Sequence, residues 1–316
     1  MPDSSVNKLP VLDLVSDQTR AVIAKSAELA PDAYVTGQTP AALRAAYRAE
    51  RVYWNEGGPA MAATLDATVA TADGDVPVRV HSPVDADVLP AVLYFHGGGF
   101  VVGDLDTHSR IMRMLAAESG AAVVGVDYSL SPEAKFPVAL RQCAAVARHV
   151  AAHGRDWGLD GARIAFAGDS GGALLALGAW LYLSDGAPHE LSDGAPYETS
   201  GLAPSRPDTS RGPQEPPSPQ APAPPESRRG DAVASVKALA LYYGMFGLRD
   251  APSRRLLGGP WDGVTQEDLD YYMAAYLADP AEVRSPYVDC LAADLSGLPP
   301  AYIAAAEFDP VLDDSR

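Results

Sequence analysis

The chain is short of several things at once, and each shortage removes a class of function. Only two cysteines, Cys143 and Cys290, occur in its 316 residues. That is too few for a disulfide framework, so both are expected as small buried hydrophobes. Basic residues are scarce beside acidic ones: 24 Lys and Arg against 41 Asp and Glu leave a formal net charge of −17. Such a field repels phosphate backbones and anionic lipid, so neither nucleic acid nor a membrane is expected as a partner. No apolar run approaches the roughly 18 to 20 residues that span a bilayer. The segment Met1 to Lys8 carries neither the basic flank nor the apolar stretch of a secretory leader, and a cytoplasmic protein is expected.

What is present is an alternation of short apolar runs with helical stretches. Val76 to His81, Ala91 to Phe95, Ala121 to Val126, Arg163 to Ala167, Val236 to Tyr243 and Ala301 to Ala305 read as strands. His108 to Ser119, Phe136 to His153 and Ala173 to Leu183 have helical spacing. Near-continuous apolar strands separated by helices predict an α/β protein with a mostly parallel sheet flanked by helices. Before it, Ser16 to Leu29 and Thr39 to Trp54 read as helices, so residues 1–60 are expected as an N-terminal helical cap and 61–316 as the main domain. One stretch breaks the rhythm. LSDGAPHE at Leu183 to Glu190 is repeated at once as LSDGAPYE at Leu191 to Glu198, and nine prolines follow between Pro204 and Pro225. A disordered Pro-rich insertion is expected at about 184–232.

Three elements carry chemistry. Gly168-Asp169-Ser170-Gly171-Gly172 fits G-x-S-x-G, a strand-to-helix turn so sharp that the serine Oγ stands exposed. The pattern alone recurs by chance, but an apolar strand enters this copy and a strong helix start leaves it. His96-Gly97-Gly98-Gly99-Phe100 follows a strand directly, and successive glycines free backbone N–H groups to converge on a developing oxyanion. A phosphate cradle would need the lysine of G-x-x-x-x-G-K-[ST], which is missing. Asp309, in AEFDPVLDD, stands where a strand ends before a proline-forced turn; alone it reads better as a cap or turn residue, in company as the acid that orients a histidine.

Together HGGGF, the GDSGG turn, Asp127 to Glu133 (DYSLSPE) and AEFDPVLDD resemble the hormone-sensitive-lipase family of α/β-hydrolases. The nearest likeness is to bacterial acetyl esterases, through Asn7 to Leu14, Thr107 to Met114 and Tyr243 to Asp262. The resemblance implies the α/β-hydrolase fold and a carboxylesterase for short-chain, acetyl-like esters. It makes Ser170 the nucleophile and Asp309 the triad acid. The oxyanion hole falls to the His96 loop, chiefly the amides of Gly97, Gly98 and Gly99, with Gly171. No metal or organic cofactor is implied, the partner is a small-molecule ester, and self-association would be as a homodimer. The region Tyr271 to Leu277 is expected to help shape an acyl pocket. The family elbow usually has Ala where Gly171 stands.

A base is missing. In this fold the order is Ser, acid, His, and no histidine follows Asp309; His81, His96, His108, His149, His153 and His189 all precede it. Each reads as structural or surface. The expectation is therefore a C-terminally truncated esterase lacking its last strand and helix, with impaired activity. The alternatives are a non-catalytic ligand-binding module of the same fold and an inactive fragment.

Overall fold

The computed structural model describes residues 8–32, 35–186, 236–259 and 264–316. Its centre is a seven-stranded sheet in the order β1-β2-β4-β3-β5-β6-β7. The strands are β1 (Ala63–Thr71), β2 (Gly74–Ser82), β3 (Leu89–Phe95), β4 (Ala122–Val126), β5 (Leu159–Asp169), β6 (Val236–Tyr242) and β7 (Ala301–Ala304). β1 and β2 form an antiparallel hairpin and β2 runs antiparallel to β4, while β4, β3, β5, β6 and β7 are mutually parallel. The hairpin strand β1 carries no apolar run; only Val69 of its nine residues is buried, so its Ala- and Thr-rich sequence gives little strand signal.

The helices are α1 (Val11–Leu14), α2 (Asp17–Leu29), α3 (Pro40–Asn55), α4 (Ser109–Ser119), α5 (Val138–His153), α6 (Gly171–Ser184), α7 (Pro252–Leu256) and α8 (Gln266–Tyr276). Alternate strand residues face opposite sides of a sheet, and here they feed two cores. Leu93, Phe95 and Val124 pack with α5 and α6, whereas Val92, Tyr94 and Val123 pack with Met112 and Ala116 of α4. Helix α6 is apolar all round and buried from Gly171 to Leu183, as a helix held between sheet and outer helices must be. Cys143 and Cys290 are fully buried and free. Of the Pro-rich insertion expected at about 184–232, residues 187–232, His189 included, lie outside the described residues. Among the described residues no helix is long and apolar enough to cross a membrane.

Strand order decides where a site can form. β3 lies between β4 and β5, so the chain leaves β3 and β5 in neighbouring positions at the carboxyl edge of the sheet, where a crevice opens. The HGGG loop leaves β3 and the GDSGG turn leaves β5 at that place.

Candidate active site

Ser170 sits between β5 and α6 with φ 52° and ψ −122°, a left-handed conformation that costs a non-glycine residue about 1–3 kcal/mol. It is held there by its N–H, which donates to Tyr242 O at 2.9 Å, and by the N–H of Ala173 on its own carbonyl at 3.0 Å. The flanking glycines have no room for a side chain: a Cβ at Gly168 would overlap the Gly172 carbonyl, and one at Gly172 would overlap Phe95 O. Gly171 differs, since its Cβ would lie 3.2 Å from the Phe100 ring.

The HGGG loop is held from below by the residue before the serine. Asp169 Oδ1 accepts from the Tyr94 hydroxyl at 2.6 Å and from Gly97 N–H at 2.9 Å, and Oδ2 lies 3.7 Å from His108 Nε2. Burial pushes this carboxyl up, but His108, the Tyr94 hydroxyl and the Gly97 amide outweigh it and bring its pKa to about 2. One expectation is corrected here. Gly97 cannot offer its N–H to a substrate because Asp169 has taken it. His96 is likewise withdrawn: it is 2% exposed, its Nδ1 lies 2.9 Å from Gly97 O, and its carbonyl accepts from Tyr128. Desolvation holds the His96 imidazole at a pKa of about 4.

Gly98, Gly99 and Gly171 remain. All three line a cleft of about 720 Å³ together with Ser170. Their N–H groups meet no acceptor among the described residues. Gly98 and Gly99 have φ 116° and 58°, and a Cβ at Gly99 would enter the Tyr272 ring. Asp309 lines the same cleft, on the turn after β7, with Oδ1 accepting Val311 N–H at 2.9 Å. Burial raises its pKa, and Asp314 nearby adds to that. No histidine lines the cleft among the described residues. His81, His96 and His108 are buried in the framework, and His149 and His153 lie on α5.

A family model described as the alpha/beta hydrolase fold matches residues 92–316. The chain belongs to this family. Among solved structures, this hydrolase superimposes on an esterase from the archaeon Pyrobaculum calidifontis with TM-score 0.73 and 30% identity, covering 95% of this chain and 82% of that one. A thermophilic carboxylesterase cloned from a metagenomic library gives TM-score 0.69 and 29% identity, over 88% and 81% of the two chains. An esterase from Pseudomonas putida gives 0.70 and 25%, over 89% and 75%. The chain is an esterase-like α/β-hydrolase with a mostly parallel central sheet.

Residues that the sequence did not announce also line the cleft or hold the loop beside it. Tyr47 and Arg51 of α3 line the cleft, with the Arg51 guanidinium 4.7 Å from the Tyr47 ring centre. So does Tyr243, which leaves β6 at φ 39°. Burial and the nearby Asp169 push the Tyr243 hydroxyl up. From α3, Arg44 reaches the loop beyond the glycines: Nε donates to Val101 O at 2.8 Å, Nη2 to Ser131 O at 2.9 Å, and both Nη groups to Glu133. Within the expected pocket region, Tyr272 faces the cleft.

Proposed function

We propose that this hydrolase is a carboxylesterase for short-chain, acetyl-like esters, acting through an acyl-enzyme on Ser170. One observation carries the reading: a serine on a strained elbow opens into the same cleft as three unengaged amides, those of Gly98, Gly99 and Gly171, and the carboxyl of Asp309. The Oγ would attack the ester carbonyl, and the amides would take up the charge forming on the carbonyl oxygen. The bond to the alcohol oxygen would break with the Oγ proton passing through water to the departing alkoxide, and a second water would then release the acid and restore the Ser170 hydroxyl. Likeness to esterases at 29–31% identity supports the reaction class. The hormone-sensitive-lipase assignment and the acetyl preference rest on the motif resemblance. Turnover by this chain is proposed to be impaired, because the cleft holds a nucleophile and an acid with no histidine among its described lining residues.

The test is incubation of the full chain with p-nitrophenyl acetate. The expected result is a stoichiometric burst of p-nitrophenol, slow turnover afterwards, and an acetyl group located by mass spectrometry on Ser170. Unchanged p-nitrophenol release by Ser170→Ala overturns the assignment.

A cleft whose described lining holds no histidine also favours a second reading, a ligand-binding module without turnover. Saturable binding of small esters by a cooperatively folded chain, with no acylation of Ser170, would select it.

A further inference from the structure

The amino edge of the parallel strands, opposite the cleft, carries a pair of side chains that the proposed reaction does not use. α5 ends there, and β5 begins at Leu159 after a single 3-10 turn, Gly154–Trp157. His149 and His153 stand four residues apart on α5, so they are neighbours on one helix face. Their ring centres are 5.1 Å apart, with the planes inclined by 41°. His149 is half-buried and His153 exposed, whereas His81, His96 and His108 are all buried. Neither ring of the pair has a hydrogen-bond or ion-pair partner among the described residues.

That spacing suits a shared ion. A metal about 2.1 Å beyond each ring nitrogen lies about 3.2 Å from each ring centre, so two imidazoles meeting at about 90–110° have ring centres about 4.5–5.3 Å apart. The observed separation falls inside that interval. The histidines of an H-E-x-x-H site use the same four-residue step along a helix. Burial and the neighbouring His153 lower the His149 pKa, so its imidazole is neutral at pH 7 and has a lone pair to give. The acid that acts on His149 is Asp156, exposed on the turn that follows, and its carboxylate favours a cation there. Among the described residues no group of three metal-ligating side chains gathers, so the remaining coordination positions fall to water.

We infer that His149 and His153 bind one divalent transition-metal ion of the Cu²⁺, Ni²⁺ and Zn²⁺ class through two imidazole nitrogens and water. Imidazole suits these ions, and its affinity along the series peaks at Cu²⁺. Mg²⁺ and Ca²⁺ take oxygen ligands and do not match the pair. Once one imidazole holds the ion, the other binds it intramolecularly at high effective concentration, so losing either ring costs most of the affinity. The site stands apart from the cleft and does not depend on the esterase reading.

The experiment titrates Cu²⁺ into the full chain at neutral pH, reading bound metal by equilibrium dialysis and tryptophan fluorescence alongside. Trp157 packs against His149 with ring centres 4.9 Å apart, so a bound Cu²⁺ should quench it. Expected are saturable quenching, one equivalent bound, weaker binding of Ni²⁺ and Zn²⁺, and no response to Mg²⁺. His149→Gln and His153→Gln should each weaken Cu²⁺ binding by at least about tenfold. His153 is exposed, so its variant reads the site even if His149→Gln disturbs α5. Trp157→Phe should remove most of the quenching and leave the bound equivalent in place. His189→Gln, in the repeated segment, should bind as the parent does, and so should Ser170→Ala. No saturable binding, binding undiminished by His153→Gln, binding lost with His189→Gln, or the same response to Mg²⁺ overturns the inference.

Discussion

Replacing Asp169 with Asn tests the framework under the proposed nucleophile in a way that can be calculated beforehand. Asn stands in for the protonated acid: it keeps an acceptor for Tyr94 and Gly97 and removes the charge. With a folded pKa of about 2 against a usual 3.8, the carboxylate form is favoured by about 2 kcal/mol at neutral pH. The sign follows from the depressed value: the stabilisation is complete above pH 4, falls to about 1 kcal/mol near pH 3, and is nearly gone at pH 2. Guanidinium unfolding of parent and Asp169→Asn should therefore differ by about 2 kcal/mol at pH 7 and converge on acidification. Asp169→Ala should cost more, about 3–5 kcal/mol, because it strands the Tyr94 hydroxyl and the Gly97 N–H in a buried site. A difference between parent and Asn that stays the same from pH 7 to pH 3 would refute the electrostatic account, and a loss below about 1 kcal/mol for Ala would refute the hydrogen-bonded one.

Two adjacent glycines should respond oppositely. Gly172→Ala meets the Phe95 carbonyl and is expected to cost at least about 3 kcal/mol or prevent folding, while Gly171→Ala needs the Phe100 ring to yield only slightly and regains helix propensity of about 1 kcal/mol; thermal melts of the two variants distinguish them. Burial also holds His96 at a pKa of about 4, so the folded state refuses a proton that the unfolded chain takes up below pH 6.5. Stability should consequently fall by about 3 kcal/mol between pH 6.5 and pH 4 on account of this residue, and His96→Gln should flatten the pH dependence of unfolding in that window.

The parts of the site that were legible in the sequence are those set by local backbone demands. Gly168 and Gly172 announce the elbow around Ser170 because a Cβ at either would overlap backbone atoms. Strands β3, β4 and β6 announce themselves because parallel strands buried on both faces must be apolar. What stayed hidden depends on partners distant in sequence. Which amide of the HGGG loop is free cannot be read from three consecutive glycines, since it is decided by a carboxylate arriving 72 residues later on the neighbouring strand. The β1 strand was hidden for the opposite reason: it has one buried neighbour to satisfy and needs no apolar pattern to pair with β2. The strand expected to open at Arg163 begins at Leu159, where an irregularity in the β3–β5 pairing around Pro90 and Ala91 interrupts the apolar run.

The proposed oxyanion loop is fixed from three directions: Asp169 holds Gly97 from β5, Tyr272 of α8 closes over Gly99, and Arg44 of α3 holds Val101. The third clamp ties the N-terminal helix α3 to the loop that carries the proposed oxyanion donors. Arg44 is not among the described residues lining the cleft, yet it grips the carbonyls of Val101 and Ser131, and Ser131 N–H donates in turn to Phe100 O at 2.8 Å. Loosening that chain of bonds would let Gly98 and Gly99 wander relative to Ser170, and an oxyanion donor displaced from its place loses transition-state stabilisation while ground-state binding is little changed. Arg44→Met should therefore slow the p-nitrophenyl acetate burst by about tenfold or more while leaving its dependence on ester concentration nearly unaltered. Arg44→Lys, which can reach one carbonyl at a time, should recover part of the rate. Loss of stability should be about 2–3 kcal/mol for the Met variant, from two carbonyls left without donors. If the cap stays docked and the burst rate is unchanged, α3 is only a cover on the cleft; if rate and concentration dependence fall together, Arg44 shapes the ester pocket rather than the oxyanion loop.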